Sequence, residues 1–347
     1  MIVDEMSFHT SHFTHEQGRT LALTQSNGAR LRWAIRTISG LLALCAVGTA
    51  TLTVPGKLAP ELGGLIARYR WSGSPERHTV RRIAAVARIF VTGSAEGLGQ
   101  LAARRLVKSG HDVVLHGRNR DRARHAIGAV PGAEASLVGD LASIDETRSL
   151  ADQANSVGPF QAVIHNAGVY RPSEPQRETV DGLGDVFAIN ALAPYLLTAL
   201  IQGPKRLIYL TSGLHRGGNP DLEDLPWRRR HGNGAQAYAN SKLFVVVLAF
   251  AVARLWPHVV SNAVDPGWVP TRMGGPSAPD DLEQGAETQV WLAVSDESGT
   301  LVSGRYLYHK RPQEAHPAAS DTAVQDRFLN VCEELTGVKL ASGVDEY

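Results

Sequence analysis

Two cysteines, Cys45 and Cys332, are all the chain contains, and neither stands in a CxxC or another metal-ligand spacing. That scarcity argues against a disulfide framework and a structural zinc site, and it fits a reducing compartment. An excess of charge of one sign is also missing: 35 Lys and Arg stand against 34 Asp and Glu, for a net charge of +1. This balance makes no case for nucleic acid or an acidic partner. The run Arg228, Arg229 and Arg230 reads as a solvated loop. No repeat of solenoid type occurs. What is plentiful is apolar surface: 43% of 347 residues are hydrophobic, enough for one large α/β domain with an extension, or for two domains.

Residues 1–86 read as an extension, and residues 87–347 as the folded domain. The first thirty residues are polar without a sustained period. His9, His12 and His15 recur at every third position but lack a fourth ligand, so they read as a polar terminus and no metal site is expected. Thr37–Val54 is uncharged and follows Arg30, Arg32 and Arg36. Its length is near the lower limit for a membrane span, and its Gly, Ala, Thr and Ser content keeps its hydropathy modest. It also lies too far from Met1 for an ordinary signal peptide. Three readings of 1–86 stay open: a disordered segment, a weak membrane anchor through 37–54, and a wrongly assigned start.

From Ala87 short apolar runs alternate with helical segments, the pattern of βαβ units and a parallel sheet. Strands are expected at Ile89–Val91, Val113–Leu115, Ser136–Val138, Ala162–Ile164, Arg206–Leu210 and Val259–Ala263. Helices are expected at Gly97–Ser109, closed by Gly110, at Phe187–Ile201 and at Tyr238–Leu255. Strands with little alternation suit a sheet covered on both faces. The fold class is therefore α/β, a Rossmann-type doubly wound parallel sheet.

The first strand runs into Thr92-Gly93-Ser94-Ala95-Glu96-Gly97-Leu98-Gly99. Glycines here permit a tight turn, close approach of backbone to a pyrophosphate, and close packing of helix on sheet. The helix N-terminus offers N–H groups to the anion. The second strand ends at His116-Gly117-Arg118. Where an NAD site commonly carries an acid to bond the ribose 2′-hydroxyl, Arg118 suits a 2′-phosphate, so NADP(H) is favoured over NAD(H). Glu96 weighs the other way, as an anion in the loop that would repel that phosphate.

Tyr238-Ala239-Asn240-Ser241-Lys242 puts Tyr and Lys four apart on one helical face. A neighbouring ammonium is expected to lower the phenol's pKa and fit it for general acid/base work. That spacing alone is common, and a surface helix pair has it too.

In their order and spacing these elements resemble the short-chain dehydrogenase/reductase family, over roughly residues 87–310. Thr92–Gly99 matches its TGxxxGxG motif. Asp140 and Leu141 match the acid after strand three that contacts adenine. His165-Asn166-Ala167-Gly168 matches its NNAG motif, with the first Asn replaced. Asn190, Ser212, Tyr238 and Lys242 match the catalytic tetrad. Pro266, Gly267 and Thr271 match the segment that reaches the nicotinamide carboxamide. The three residues between Gly93 and Gly97 disfavour the extended, epimerase-like branch. The 26 residues from Ser212 to Tyr238 make a long loop, containing His215, Pro226 and Trp227, that looks like that of retinol-dehydrogenase-like members.

The resemblance implies an enzyme that interconverts a carbonyl and an alcohol, with Tyr238 as acid/base, Ser212 on the substrate oxygen, Lys242 on the tyrosine and the ribose, and Asn190 on a water. Gly93, Ser94, Glu96, Gly97, Leu98, Gly99, Arg118, Asp140, Leu141, Asn166, Ala167, Gly168, Pro266, Gly267 and Thr271, with Tyr238 and Lys242, would hold the cofactor. The expected partner is a small carbonyl or alcohol with an apolar body. Trp227 and Trp268 are candidate contacts, and Met273–Gln284 is a candidate lid. Dependence on the nicotinamide pool favours the cytoplasm, with membrane association through 37–54 as the alternative. Phe244–Leu255 is apolar enough either for self-association or for burial within the chain. A catalytically silent NAD(P)-binding scaffold is the rival function.

Overall fold

A computed structural model describes residues 86–173, 177–222 and 234–341. The stretch 37–54, the histidines near the N-terminus, Cys45, Trp227 and the arginine run lie outside the described residues. The described chain runs β1 (Arg88–Val91), α1 (Gly97–Lys108), β2 (Asp112–Gly117), α2 (Arg120–Ala129), β3 (Ala135–Val138), α3 (Ile144–Val157) and β4 (Ala162–His165). It continues with α4 (Asp185–Leu200), β5 (Arg206–Leu210), α5 (Gly234–Leu255), β6 (Val260–Asp265) and α6 (Leu282–Val294). The hairpin β7 (Arg305–Tyr308) and β8 (Arg311–Gln313) and the helix α7 (Thr322–Thr336) complete it.

The sheet has eight strands in the order β3-β2-β1-β4-β5-β6-β7-β8. The pairs from β3 through β7 are parallel, and β8 adds an antiparallel edge. This is the expected doubly wound sheet. Strand alternation supplies both of its cores. In β1, Phe90 enters the core packed by α3, α4, α5 and α7, while Ile89 and Val91 enter the one packed by α1, α2 and α6. Strand order reverses between β1 and β4, so a crevice opens beyond their carboxyl ends, where such folds bind ligands.

Several boundaries differ from the sequence reading. Strand β6 ends two residues later than expected, which makes Asp265 its last residue. Helix α5 begins at Gly234, four residues before Tyr238. Helix α4 carries a π-turn at Ala188–Leu192, centred on Asn190. The far end of the candidate lid, Leu282–Gln284, is the first turn of α6, capped by the Asp281 side chain on the Gln284 N–H at 2.7 Å.

Helix α5 is the only one among the described residues long and apolar enough to cross a membrane, and 78% of its apolar window is buried inside the fold. Phe244 stacks on Phe328 of α7 at 5.0 Å, so the apolar face of α5 is covered by the chain's own C-terminal helix. Cys332 lies buried in the same core, and burial raises its thiol pKa.

Candidate functional site

The glycine loop is held by side chains from the neighbouring strands. Gly93 turns out of β1 with φ +62°, and a Cβ there would stand 2.8 Å from the Ala167 Cα. Thr92 Oγ1 accepts from the N–H groups of Asn166 and Ala167, both at 3.0 Å. Asn166 Nδ2 donates to the Thr92 and Gly93 carbonyls at 2.9 and 3.2 Å. Thus the Asn166-Ala167-Gly168 segment after β4 buttresses the loop after β1. Ser94 is buried, its hydroxyl accepting from the His116 N–H at 2.8 Å. His116, which carries no role in the sequence reading, ties two cofactor elements together. Its Nδ1 accepts from the Gly93 N–H at 2.9 Å, and its Nε2 lies 2.8 Å from the Gly139 carbonyl at the end of β3. Both contacts together require the neutral ring protonated on Nε2. Burial lowers its pKa, against weaker opposing effects of the Gly139 bond and Asp140.

The substituted position of the NNAG motif turns away from this end. His165 stacks on Tyr209 at 4.7 Å within the core, and burial lowers its pKa to about 3, so it stays neutral. Support of the loop falls to Asn166 and Thr92 instead. Asp140 spends one carboxylate oxygen on the Ala142 N–H at 3.0 Å. Arg118 is exposed. Glu96 is ion-paired with Arg122 of α2 at 2.9 Å. Thr271 approaches Gly97, where an added Cβ would lie 3.6 Å from its Cγ2. Leu98 reaches α6 near Pro266, so the glycine loop and the segment after β6 face the same crevice.

The candidate catalytic residues converge beside it. Tyr238 is 7% exposed, and Ser212, which follows β5, lies near enough to its hydroxyl to favour the phenolate. Lys242 is 4% exposed, its Nζ lies 5.6 Å from the Tyr238 ring centre, and it donates to the Leu210 carbonyl at 2.8 Å. Asn190, aimed by the π-turn, accepts from the Val169 N–H at 2.8 Å and donates to the Val169 carbonyl and the Ser241 hydroxyl, each at 3.0 Å. Gly168 lies between Asn190 and Lys242: a Cβ there would stand 3.3 Å from Asn190 Oδ1 and 3.2 Å from Lys242 Nζ.

The electrostatics depart from expectation. Burial raises the Tyr238 pKa above the ordinary phenol value. The nearby Ser212 hydroxyl opposes that rise, and Asp265 and Tyr170 add to it. Lys242, with its Nζ 5.6 Å from the ring centre and engaged by the Leu210 carbonyl, does not offset that rise. Burial lowers the Lys242 pKa to about 8, and Asp265 opposes the shift.

Three further residues shape the site without having been singled out. Tyr170 packs its ring on Tyr238 at 4.5 Å. Ser241 lies within the Tyr238–Lys242 turn and fixes Asn190. Asp265, 7% exposed, accepts from the Tyr306 hydroxyl at 2.8 Å and the Gly267 N–H at 3.0 Å. Its place immediately before Pro266-Gly267 was the available signal. Trp268 is 59% exposed on the segment after β6, which Asp280 closes by accepting from the Trp268 N–H at 2.6 Å.

The family profile "short chain dehydrogenase" matches residues 87–203. An uncharacterised oxidoreductase of Emericella nidulans is 44% identical over 260 residues, covering 74% of this chain and 99% of that one. A short-chain dehydrogenase of Penicillium rubens is 41% identical over 258 residues, with the same coverage. Retinol dehydrogenase 14 of Mus musculus is 29% identical, over 72% of this chain and 86% of its own. A crystal structure of a putative uncharacterised protein from Mycobacterium paratuberculosis superposes with a TM-score of 0.64 at 25% identity, over 74% of this chain and 95% of that one. The chain belongs to the short-chain dehydrogenase/reductase family. It is an oxidoreductase of the kind that acts on the CH–OH group of its donor with a nicotinamide dinucleotide.

The local geometry fits that cofactor. The N-cap residue of α1, Glu96, makes no side-chain bond to its own helix, which leaves the first N–H groups without a side-chain cap, whereas α2, α3, α6 and α7 are capped by Asn119, Ser143, Asp281 and Asp321. The backbone there is bare at Gly97, and Thr271 faces it across the crevice.

Proposed function

We propose that this enzyme interconverts a carbonyl and a primary or secondary alcohol by hydride transfer, with NADP(H) favoured over NAD(H) and Tyr238 as the proton donor and acceptor. The observation that carries this reading is the meeting of Tyr238, Ser212 and a buried Lys242, whose Nζ lies 5.6 Å from the Tyr238 ring centre, beside the crevice between the β1 and β4 loops. The dinucleotide supplies or receives the hydride when bound.

The protein's own groups do the rest. Tyr238 holds a proton at its Oη, and burial keeps it there at neutral pH, which suits donation to a carbonyl oxygen. The Ser212 hydroxyl bonds that same oxygen and stabilises charge developing on it. Lys242, with a pKa of about 8, is mostly an ammonium at pH 7 and favours the phenolate left after transfer. Asn190 would position the water that returns the proton from solvent, its amide being fixed by Val169 and Ser241. Gly93, Gly97, Gly99, Asn166 and Gly168 would line the dinucleotide, Asp140 and Leu141 its adenine, and Thr271 its carboxamide. Arg118, exposed at the end of β2, is the argument for the 2′-phosphate.

The substrate would enter past Trp268 and Tyr170, which suits a carbonyl compound with an apolar body. We place the enzyme in the cytoplasm, with membrane association through residues 37–54 as the alternative. The test is titration of the full chain with NADPH and NADH by nicotinamide fluorescence, followed by a carbonyl and alcohol panel at 340 nm. NADPH binding that weakens about tenfold or more in Arg118→Ala supports the assignment. Tight binding without turnover anywhere in the panel would favour the silent scaffold.

A further inference from the structure

The end of the crevice that would hold the adenosine ribose carries an ion pair that the glycine motif does not require. Glu96 caps α1 with extended backbone, and its carboxylate ignores its own helix to reach Arg122 Nη2 at 2.9 Å. Arg122 is delivered there by local geometry. Gly117 lets the first turn of α2 settle directly on the end of β2: a Cβ at Gly117 would stand 2.4 Å from the Ala123 N and 2.6 Å from the Arg122 carbonyl carbon. The Asn119 side chain then accepts from the Arg122 N–H at 2.9 Å and fixes that turn. Both partners stay accessible, with side chains 48% and 30% exposed. Arg118 lies beside them in sequence, exposed and without an ion pair among the described residues.

We infer that Glu96 is a built-in counter-ion that occupies Arg122 in place of a 2′-phosphate, and so narrows the enzyme's preference for NADP(H) over NAD(H). This rests on the proposed function, which puts the adenosine ribose at this end. A 2′-phosphate has to draw Arg122 away from Glu96 and tolerate a carboxylate at short range. A 2′-hydroxyl leaves the pair intact and finds Glu96 ready to accept its hydrogen bond. Arg118 alone favours the phosphate, and Glu96 subtracts from that preference.

The experiment measures dissociation constants for NADPH and NADH by nicotinamide fluorescence in the full chain, for wild type, Glu96→Gln and Arg122→Gln, with thermal melts to verify folding. Glu96→Gln should tighten NADPH by roughly three- to tenfold and leave NADH equal or weaker. Arg122→Gln should shift the ratio in the opposite direction. Both changes should shrink in 0.5 M salt, roughly as screening over a few ångströms requires. A ratio that stays within about twofold of wild type in Glu96→Gln, or that moves the same way in both variants, overturns the inference. If the wild type binds neither nucleotide, the proposed function fails, and this inference with it. A wild type that binds but whose ratio ignores Glu96 refutes the inference alone.

Discussion

Replacing Gly99 by alanine is the most direct probe of how tightly the glycine loop is built. A Cβ at Gly99 would stand 2.3 Å from Asn166 Nδ2 and 2.6 Å from the Gly93 carbonyl oxygen. The amide can swing away only by giving up its bonds to the Thr92 and Gly93 carbonyls. Those two bonds are worth about 0.5–1.5 kcal/mol each, and residual overpacking adds about 1–3 kcal/mol. The better helix propensity of alanine returns about 1 kcal/mol. The expected net loss is about 1–5 kcal/mol in urea unfolding at unchanged m-value, with NADPH binding weakened by more than about tenfold because the loop backbone moves. Gly97→Ala is the internal comparison. There the nearest atom to a new Cβ is 3.6 Å away, but φ is +59°, so the cost is backbone strain of about 1 kcal/mol with no lost hydrogen bond. A Gly99→Ala variant no less stable than Gly97→Ala that binds NADPH as the wild type does would show that the loop is not built this tightly.

Lys242 gives a prediction whose sign runs against function. Burial lowers its pKa from 10.5 to about 8, so the unfolded chain binds more protons between those values, and this group's contribution to stability rises with pH across that window. Below pH 8 the full penalty of roughly 3 kcal/mol applies. Lys242→Met should therefore be inactive yet more stable at pH 7 by about 1–3 kcal/mol, once its bond to Leu210 is subtracted, and the gain should vanish by about pH 10.5 in thermal melts. Asp265→Asn removes the charge that opposes the fall in the Lys242 pKa, so the alkaline limb of turnover should move down by roughly one pH unit. Ser212→Ala should cost about 10²–10³-fold in kcat with little change in nucleotide binding, as stopped-flow absorbance would show. Phe328→Ala opens the stack on Phe244 and should cost about 3–5 kcal/mol of stability without altering the nucleotide ratio.

The sequence was most legible where local chemistry and burial agree. The run Arg206–Leu210 is a strand with the expected limits, because its apolar side chains are covered on both sheet faces. The glycine motif announced its turn because its conformation excludes side chains. Legibility failed where partners come from afar. Asp265 ends a strand where the Gly267 N–H and the Tyr306 hydroxyl satisfy its carboxylate, and only the first of these partners is close in sequence. The β7–β8 hairpin was not foreseen. Its turn uses His309 and Lys310 at positive φ in place of the Asn or Gly that marks such turns, and β8 is exposed throughout. Helix α2 was missed as well, since only Ala123 and Ala126 of its ten residues are buried. The π-turn at Asn190 was hidden because that side chain's partners, Val169 and Ser241, lie in other elements. For Tyr238 the spacing to Lys242 was readable, but the burial that raises the phenol pKa is set by elements far apart in sequence.

In the proposed reaction Tyr238 transfers the proton while the glycine loop and the Asn166–Gly168 segment carry most of the dinucleotide binding. Stopped-flow oxidation of NADPH at 340 nm, with the best carbonyl of the panel, tests it in wild type and Tyr238→Phe beside fluorescence titrations of both. Tyr238→Phe should bind NADPH within about threefold of wild type and turn over about 10²–10⁴-fold more slowly. Turnover equal to wild type in a variant that binds NADPH normally would contradict it.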